Sequence, residues 1–258
     1  IVAIPLASNV LGTIYDVRRI ARLAKERGAL TIIDATAAAG HMTVDVRSLE
    51  CDFLFFSGHK ILGPTGIGIL YGRAELLERL HPSFFGGGII DSVTEQDTIY
   101  REVPARFEAG TPNIAGAIGL ARAIDYIESM GMDEITMHMQ RLLLYANQEI
   151  SSIPLVTILS QKKENNIGIV SFVMRGVDSH TIAEALGQGN VSSRGGYHCA
   201  MPLMKAMGIS GVCRASFYIY NDTSDIDMLV SEIKKIKNPA EQTPPRSKAA
   251  WSFFKRKN

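Results

Sequence analysis

Residues 52–71 read DFLFFSGHKILGPTGIGILY. The apolar run from Asp52 to Phe56 stops at Ser57-Gly58-His59-Lys60, and a Gly-Pro-Thr-Gly turn leads into a second apolar run, Ile67 to Tyr71. Short apolar runs bounded by glycine and proline predict strands buried on both faces. Upstream, Ala29 to Asp34 is a similar run ending in an acid, and residues 1–7 form another. Between them, Asp16 to Arg27 predicts a helix with Val17, Ile20, Ala21 and Ala24 on one face, stopped by Gly28. Strands alternating with a helix predict an α/β fold with a mainly parallel sheet. Asn9, Asp34 and Ser57 to Lys60 all fall just past a strand's carboxyl end, the edge where open α/β sheets bind ligands.

Downstream the pattern changes. Helices are predicted from about Asn113 to Met130 and from Asp133 to about Ile150. Strands follow over 155–159 and 167–173, then a helix from His180 to Leu186 and a strand ending at Arg194. After a polar loop come a strand over 212–219 and a helix over 225–237. The expected organisation is a large α/β domain over 1–128, a smaller α+β domain over 129–238 and a basic tail over 239–258.

Composition is ordinary: 46% hydrophobic, 21% charged, mean hydropathy +0.08. A net charge of +1 argues against nucleic acid as the main partner, and no uninterrupted apolar stretch is long enough to span a membrane. Five of the basic residues lie after Gln242 without an acid, beside the only Trp, Trp251. That tail reads as a disordered terminus or as a docking segment. The first residue is Ile1, within an apolar run, so an upstream portion is expected. Three cysteines without a CxxC pair and without a secretory signal suit a reducing, cytoplasmic setting. Cys51 and Cys213 adjoin apolar strands and are expected in the core; Cys199 sits in a polar, glycine-rich loop.

A Lys at the end of a buried strand can be desolvated. Burial lowers its pKa and leaves an amine that attacks aldehydes. Alone, Lys60 reads better as a surface Lys after a strand. Asp34, as a buried carboxylate, needs a partner. A protonated pyridine nitrogen would serve, through a charge-assisted bond of roughly 1.5–3 kcal/mol; helix capping is the alternative.

Several stretches together resemble one family. They are Ser8-Asn9-Val10-Leu11-Gly12, Asp34, residues 56–71, residues 106–113 (RFEAGTPN), residues 194–204 (RGGYHCAMPLM) and residues 213–216 (CRAS). In this order and spacing, from about residue 5 to 236, they are similar to cysteine desulfurases of the SUF type, class V aminotransferase-like enzymes of fold type I. The resemblance implies pyridoxal 5'-phosphate as cofactor, L-cysteine as substrate, a homodimer, and a sulfur-acceptor protein in iron–sulfur cluster assembly. It also implies that part of the large domain lies upstream.

Residue by residue, the resemblance implies that Lys60 links the cofactor and moves the α-proton, and that Asp34 holds the ring nitrogen. Ser57 and His59 would donate to the phosphate, and Thr111 to a phosphate in the partner subunit's site. Asn9 would contact substrate or the cofactor's ring oxygen. Arg214 would clamp the substrate carboxylate with a planar fork, with Arg194 beside it. Cys199 would take the sulfur as a persulfide. Arg194 and His198 nearby could lower its pKa or move protons, and Gly195-Gly196 could lend the loop mobility or unusual turns. An inert loop Cys, or half of a metal pair with His198, are the other readings. His180 stands where the branch that serves a zinc-binding acceptor has a His; otherwise it is a helix-start residue. Two departures stand out. Ala37 replaces a Gln that bonds the cofactor's phenolic oxygen, and Tyr197 replaces a frequent His. Selenocysteine lyase on the same scaffold, or a non-catalytic assembly partner, are the alternative functions.

Overall fold

The computed structural model describes residues 1–160 and 165–236. The predicted basic tail lies outside the described residues, as does the last residue of the predicted final helix, Lys237. The chain divides into two compact units. The first comprises Ile1–Leu144, Ser160–Ile169 and Phe217–Tyr220; the second comprises Tyr145–Leu159, Val170–Ser216 and residues 221–236.

The first unit opens with β1 (Val2–Pro5), α1 (Val17–Glu26), β2 (Thr31–Asp34), the short α2 (Val46–Leu49), β3 (Phe53–Ser57) and β4 (Gly68–Gly72). The Asp16 side chain accepts from the Arg19 amide at 3.1 Å and starts α1. Val17, Ala21 and Ala24 of α1 are buried. β1, β2 and β3 pair in parallel, which places Pro5, Asp34 and Phe55 side by side. β4 returns antiparallel to β3, with Ser57 opposite Gly68. The connection between them is too short for a crossover, which needs a dozen or more residues. The sheet is thus parallel over three strands with an antiparallel edge strand. Leu6, Ala7, Val17, Ile33, Ala35, Ala38, Cys51, Leu54, Ile167 and Ile169 form the core beside it.

The unit continues through α3 (Ala74–Leu77), a hairpin of β5 (Ile90–Val93) and β6 (Thr98–Tyr100), α4 (Ile114–Met130) and α5 (Met132–Ser151). Asn113 caps α4 by accepting from the Gly116 amide at 2.9 Å. α5 carries the chain from the first unit into the second.

The second unit has β7 (Val156–Ile158), β8 (Ile169–Met174, whose first residue belongs to the first unit), α6 (Ser179–Gln188), β9 (Arg194–Gly196), α7 (Met201–Met207), β10 (Val212–Ser216) and α8 (Thr223–Lys235). Its sheet runs β7-β8-β10-β9. The predicted strand ending at Arg194 instead begins there, because Arg194 to Gly196 pair with β10. α6 packs on β9, β10 and α8. α8 is fixed by a reciprocal cap between Asp222 and Asp225 and buries Ile226, Leu229, Val230 and Ile233, the helical spacing of a core face. Among the described residues no helix is long and apolar enough to cross a membrane.

Candidate active site

The three parallel strands of the first unit deliver polar residues to one edge. After β1 the chain turns at Ser8, whose hydroxyl accepts from the amides of Val10 at 3.2 Å and Leu11 at 3.0 Å. This buries Ser8 and leaves Asn9 exposed. Gly12, at φ +71°, closes the turn where a side chain would collide with the Asn166 amide. Asp34 ends β2 half-buried, with one carboxylate oxygen accepting from the Thr36 amide at 2.8 Å. The Ala-rich run after it folds into tight turns, with the Ala38 and Ala39 amides both bonded to the Ala35 carbonyl.

Ser57 ends β3 and enters a 3-10 turn, Gly58–Lys60. Gly58 is buried against Ile67 and Pro64, and its amide donates to the Ile67 carbonyl at 2.9 Å. Ser57 Oγ and His59 Nδ1 lie 2.7 Å apart. With the hydroxyl donating, the proton of the ring sits on Nε2 and can serve an outside acceptor. Lys60 is exposed. The desolvation expected for it, and the full burial expected for Asp34, are not supplied by the described residues, because a strand end is covered only by what packs on it from elsewhere in the chain.

Three further residues enter this edge; His41 and Tyr218 drew no notice in the sequence, and Asn113 was read there only as a helix start within the RFEAGTPN stretch. His41 follows the Ala-rich run, with its ring 4.6 Å from that of Tyr218 and its Nδ1 buried without a hydrogen bond. The Tyr218 hydroxyl donates to the Gly40 carbonyl at 2.9 Å, in space that a side chain at residue 40 would need. Asn113 donates to the Gly66 carbonyl at 3.2 Å, tying the segment that carries exposed Thr111 to the turn after Lys60. A lone His seven residues beyond Asp34 was the only available signal for His41. Tyr218 gave none, since its contact is remote in sequence.

Burial, and secondarily the Lys60 charge, push the His41 imidazole down to about 4. Its folded pKa lies below its unfolded value near 6.5, so the unfolded chain takes the proton first. The stability tied to neutral His41 is therefore present above about pH 6.5 and is lost as pH falls toward about 4. At about 1.4 kcal/mol per unit this amounts to roughly 3–4 kcal/mol in full, of which roughly 2–3 kcal/mol is lost by about pH 4.5. His41→Phe keeps an aromatic ring against Tyr218 and cannot titrate. Urea unfolding at about pH 7.5 and about pH 4.5 should show the variant losing roughly 2–3 kcal/mol less than the parent. Equal losses would contradict the assignment.

In the second unit, Arg194 and Arg214 face each other across the β9–β10 ladder. Arg194 is exposed and Arg214 half-buried. Desolvation, then the Arg194 charge, lowers the Arg214 guanidinium from its usual value. Cys199 is exposed, whereas Cys51 and Cys213 are buried. Burial raises the Cys51 thiol and pushes Cys213 up to about 11, so neither is a ready thiolate. His198 is turned inward at 2% exposure and bonds to the Val212 carbonyl. Gly195 and Gly196 are seated against the first residues of α6, Ser179 and His180, and His180 is exposed there. Close packing, rather than mobility, explains the glycine pair. Among the described residues no three His, Cys, Asp or Glu side chains gather to hold a metal ion.

Comparison with known proteins places this geometry in context. The profile of the aminotransferase class-V family matches residues 1–229. A probable cysteine desulfurase of Halalkalibacterium halodurans is 46% identical over 237 residues, covering 92% of this chain and 58% of that protein. The apo structure of a cysteine desulfurase from Thermococcus onnurineus NA1 matches with a TM-score of 0.86 and 40% identity, over 90% of this chain and 58% of that one. The cysteine desulfurase CsdA from Escherichia coli matches with a TM-score of 0.85 and 34% identity, over 90% of this chain and 57% of that one. The chain thus spans less than two thirds of these proteins while sharing their mixed α/β fold. The matched region takes in the strand-end edge and the Cys199 loop alike, and the chain belongs to the class V aminotransferase family.

Proposed function

We propose that the full-length protein is a cysteine desulfurase of the SUF type. It would depend on pyridoxal 5'-phosphate, work as a homodimer and convert L-cysteine to L-alanine. The sulfur would remain on Cys199 for a sulfur-acceptor protein in iron–sulfur cluster assembly. The observation that carries this reading is the gathering of Asp34, the Ser57–His59 pair and Lys60 at the carboxyl ends of adjacent parallel strands. An amine for an aldehyde, a carboxylate for a ring nitrogen and a hydroxyl–imidazole pair for a phosphate make a donor set that fits this cofactor.

Asp34 keeps one carboxylate oxygen on the Thr36 amide, which fixes its orientation and leaves the other for a protonated ring nitrogen. Ser57 and His59 would hold the phosphate, with Thr111 serving the partner subunit's site. Asn9, at the exposed turn after β1, would contact substrate. When bound, the cofactor draws electrons from the substrate's α-carbon. Lys60 Nζ would hold the cofactor in place and carry the proton lost from that carbon. Arg214, with Arg194 across the ladder, would grip the substrate carboxylate by its planar fork. The Cys199 thiolate would attack the substrate sulfur. A sulfur–sulfur bond forms, the substrate carbon–sulfur bond breaks, and protons complete alanine and the persulfide.

The test is to mix full-length protein with pyridoxal 5'-phosphate and L-cysteine and to measure alanine. Alanine formed in step with transferable sulfur supports the reading, and none formed overturns it. Ala37, which lacks the polar tip of the family Gln, and the exposure of Lys60 favour a second reading, a non-catalytic assembly partner. That reading predicts a protein that stays colourless with the cofactor and gives no borohydride-stable adduct on Lys60. A selenocysteine lyase on the same scaffold would instead release selenium faster than sulfur and tolerate loss of Cys199.

A further inference from the structure

We infer that His198 is the positioning residue for Cys199, an imidazole peg driven into the second unit that holds the turn displaying the thiol. The inference rests on the proposed role of Cys199 in sulfur transfer, but its geometry stands within the second unit alone. Cys199 is the third residue of a four-residue turn closed by the Ala200 amide on the Tyr197 carbonyl at 2.9 Å. The two central residues, His198 and Cys199, have φ of 52° and 61°. They are the only adjacent non-glycine residues at positive φ among the described residues. Turns of this hand normally take Gly, Asn or Asp at both central positions, because a β-carbon is strained there. A His-Cys pair persists in it only if something outside the turn holds it.

The holding contact is the His198 side chain. It is 2% exposed where the neighbouring thiol is exposed, and places Nε2 3.0 Å from the Val212 carbonyl. A carbonyl only accepts, so Nε2 carries the proton. Val212 is also the residue opposite Gly196 in the β9–β10 ladder. The chain therefore leaves β10's partner strand at Gly196, turns outward, and is pinned back to the same point two residues later. The base of the turn is already fixed. A β-carbon on Gly195 would strike the Ser179 carbonyl, and one on Gly196 would lie 3.0 Å from the His180 ring.

Burial, and secondarily charge, work against a protonated peg. Burial, Arg214 on β10, Arg194 on β9 and His180 on α6 all disfavour a protonated ring, opposed by the bond to Val212, and the net effect lowers its pKa. An inward imidazole held on the Val212 carbonyl fixes the direction of the neighbouring thiol. Proton traffic at Cys199 then falls to other groups.

The test uses the full-length protein with His198→Gln, which carries an amide N–H to about the Nε2 position, and His198→Asn, whose amide stops short of Val212. Two readouts are taken. In cofactor-free protein, exchange of the Ala200 amide should quicken at least about tenfold in the Asn variant and about threefold or less in the Gln variant. In the loaded protein, kcat for alanine formation should fall about tenfold or more in the Asn variant with KM unchanged, and recover in the Gln variant. Unchanged exchange in the Asn variant, or equal effects of Asn and Gln, would overturn the inference. A parent that does not turn over cysteine defeats the proposed function only; the exchange experiment still decides the peg. Should the Asn variant not fold, ring nitrogen signals of the parent decide. A proton carried on Nε2 at about pH 7.5 supports the inference, and a ring protonated on Nδ1 instead, which leaves no donor for Val212, overturns it.

Discussion

On the proposed function, Lys60→Ala should remove turnover of L-cysteine by the full-length protein, with a loss of roughly 10³-fold or more. The size of the effect follows from two duties placed on one amine. Lys60 would hold the cofactor at the strand edge, and its Nζ would also carry the proton leaving the substrate's α-carbon. Alanine retains the 3-10 turn, which is built by the Gly58 and Ile61 backbone rather than by the Lys60 side chain. The fold should therefore survive, with the unfolding midpoint nearly unchanged. Borohydride treatment in the presence of pyridoxal 5'-phosphate should then label the parent at residue 60 and leave the variant unlabelled. A variant that keeps a tenth of parental activity would show that another group carries the proton.

The second large effect belongs to Cys199. Cys199→Ala should lower alanine formation from L-cysteine by roughly 10²–10³-fold while the cofactor absorbance is retained, because on the proposed reading the thiolate would make the sulfur–sulfur bond that lets the carbon–sulfur bond break. The other two thiols offer no substitute. Cys51 and Cys213 are buried, and burial raises both thiols, with Cys213 near 11. Cys199 lies on an exposed turn, so alanine there removes no core packing. Sulfur release at the parental rate would remove Cys199 from the reaction, and undiminished selenium release beside lost sulfur release would point to the lyase reading.

Much of this arrangement was legible in local sequence. The run over residues 52–71 announced two strands around a polar turn, and the helix starts read at Asp16 and about Asn113 fall on the N-caps of α1 and α4. Apolar neighbours placed Cys51 and Cys213 in the core. What depended on distant chain was not legible. β4 runs antiparallel because its connection is short, a matter of closure rather than of composition. The hairpin of β5 and β6 and the short helix α7 lacked a long periodic pattern. Arg194 starts a strand because β10 lies beside it.

At the site, the order of strand ends was readable because parallel strands carry their carboxyl ends to one edge. The environment of each side chain there was not. Lys60 is exposed although it follows an apolar strand, and His198 is buried although it follows a glycine-rich loop. Burial is decided by the elements that pack on a segment, and α6 and β10 are remote in sequence from the turns they hold. The same holds for the Tyr218 hydroxyl on Gly40, which joins residues far apart along the chain.

The most direct measurement is the mass of the peptide carrying Cys199 after full-length protein, supplied with pyridoxal 5'-phosphate, has met L-cysteine. It should be heavier by one sulfur atom, removable by a thiol reductant, and it should stay at parental mass when Lys60 is alanine. An added sulfur on Cys51 or Cys213, or alanine accumulating while the Cys199 peptide never gains one, would contradict the account.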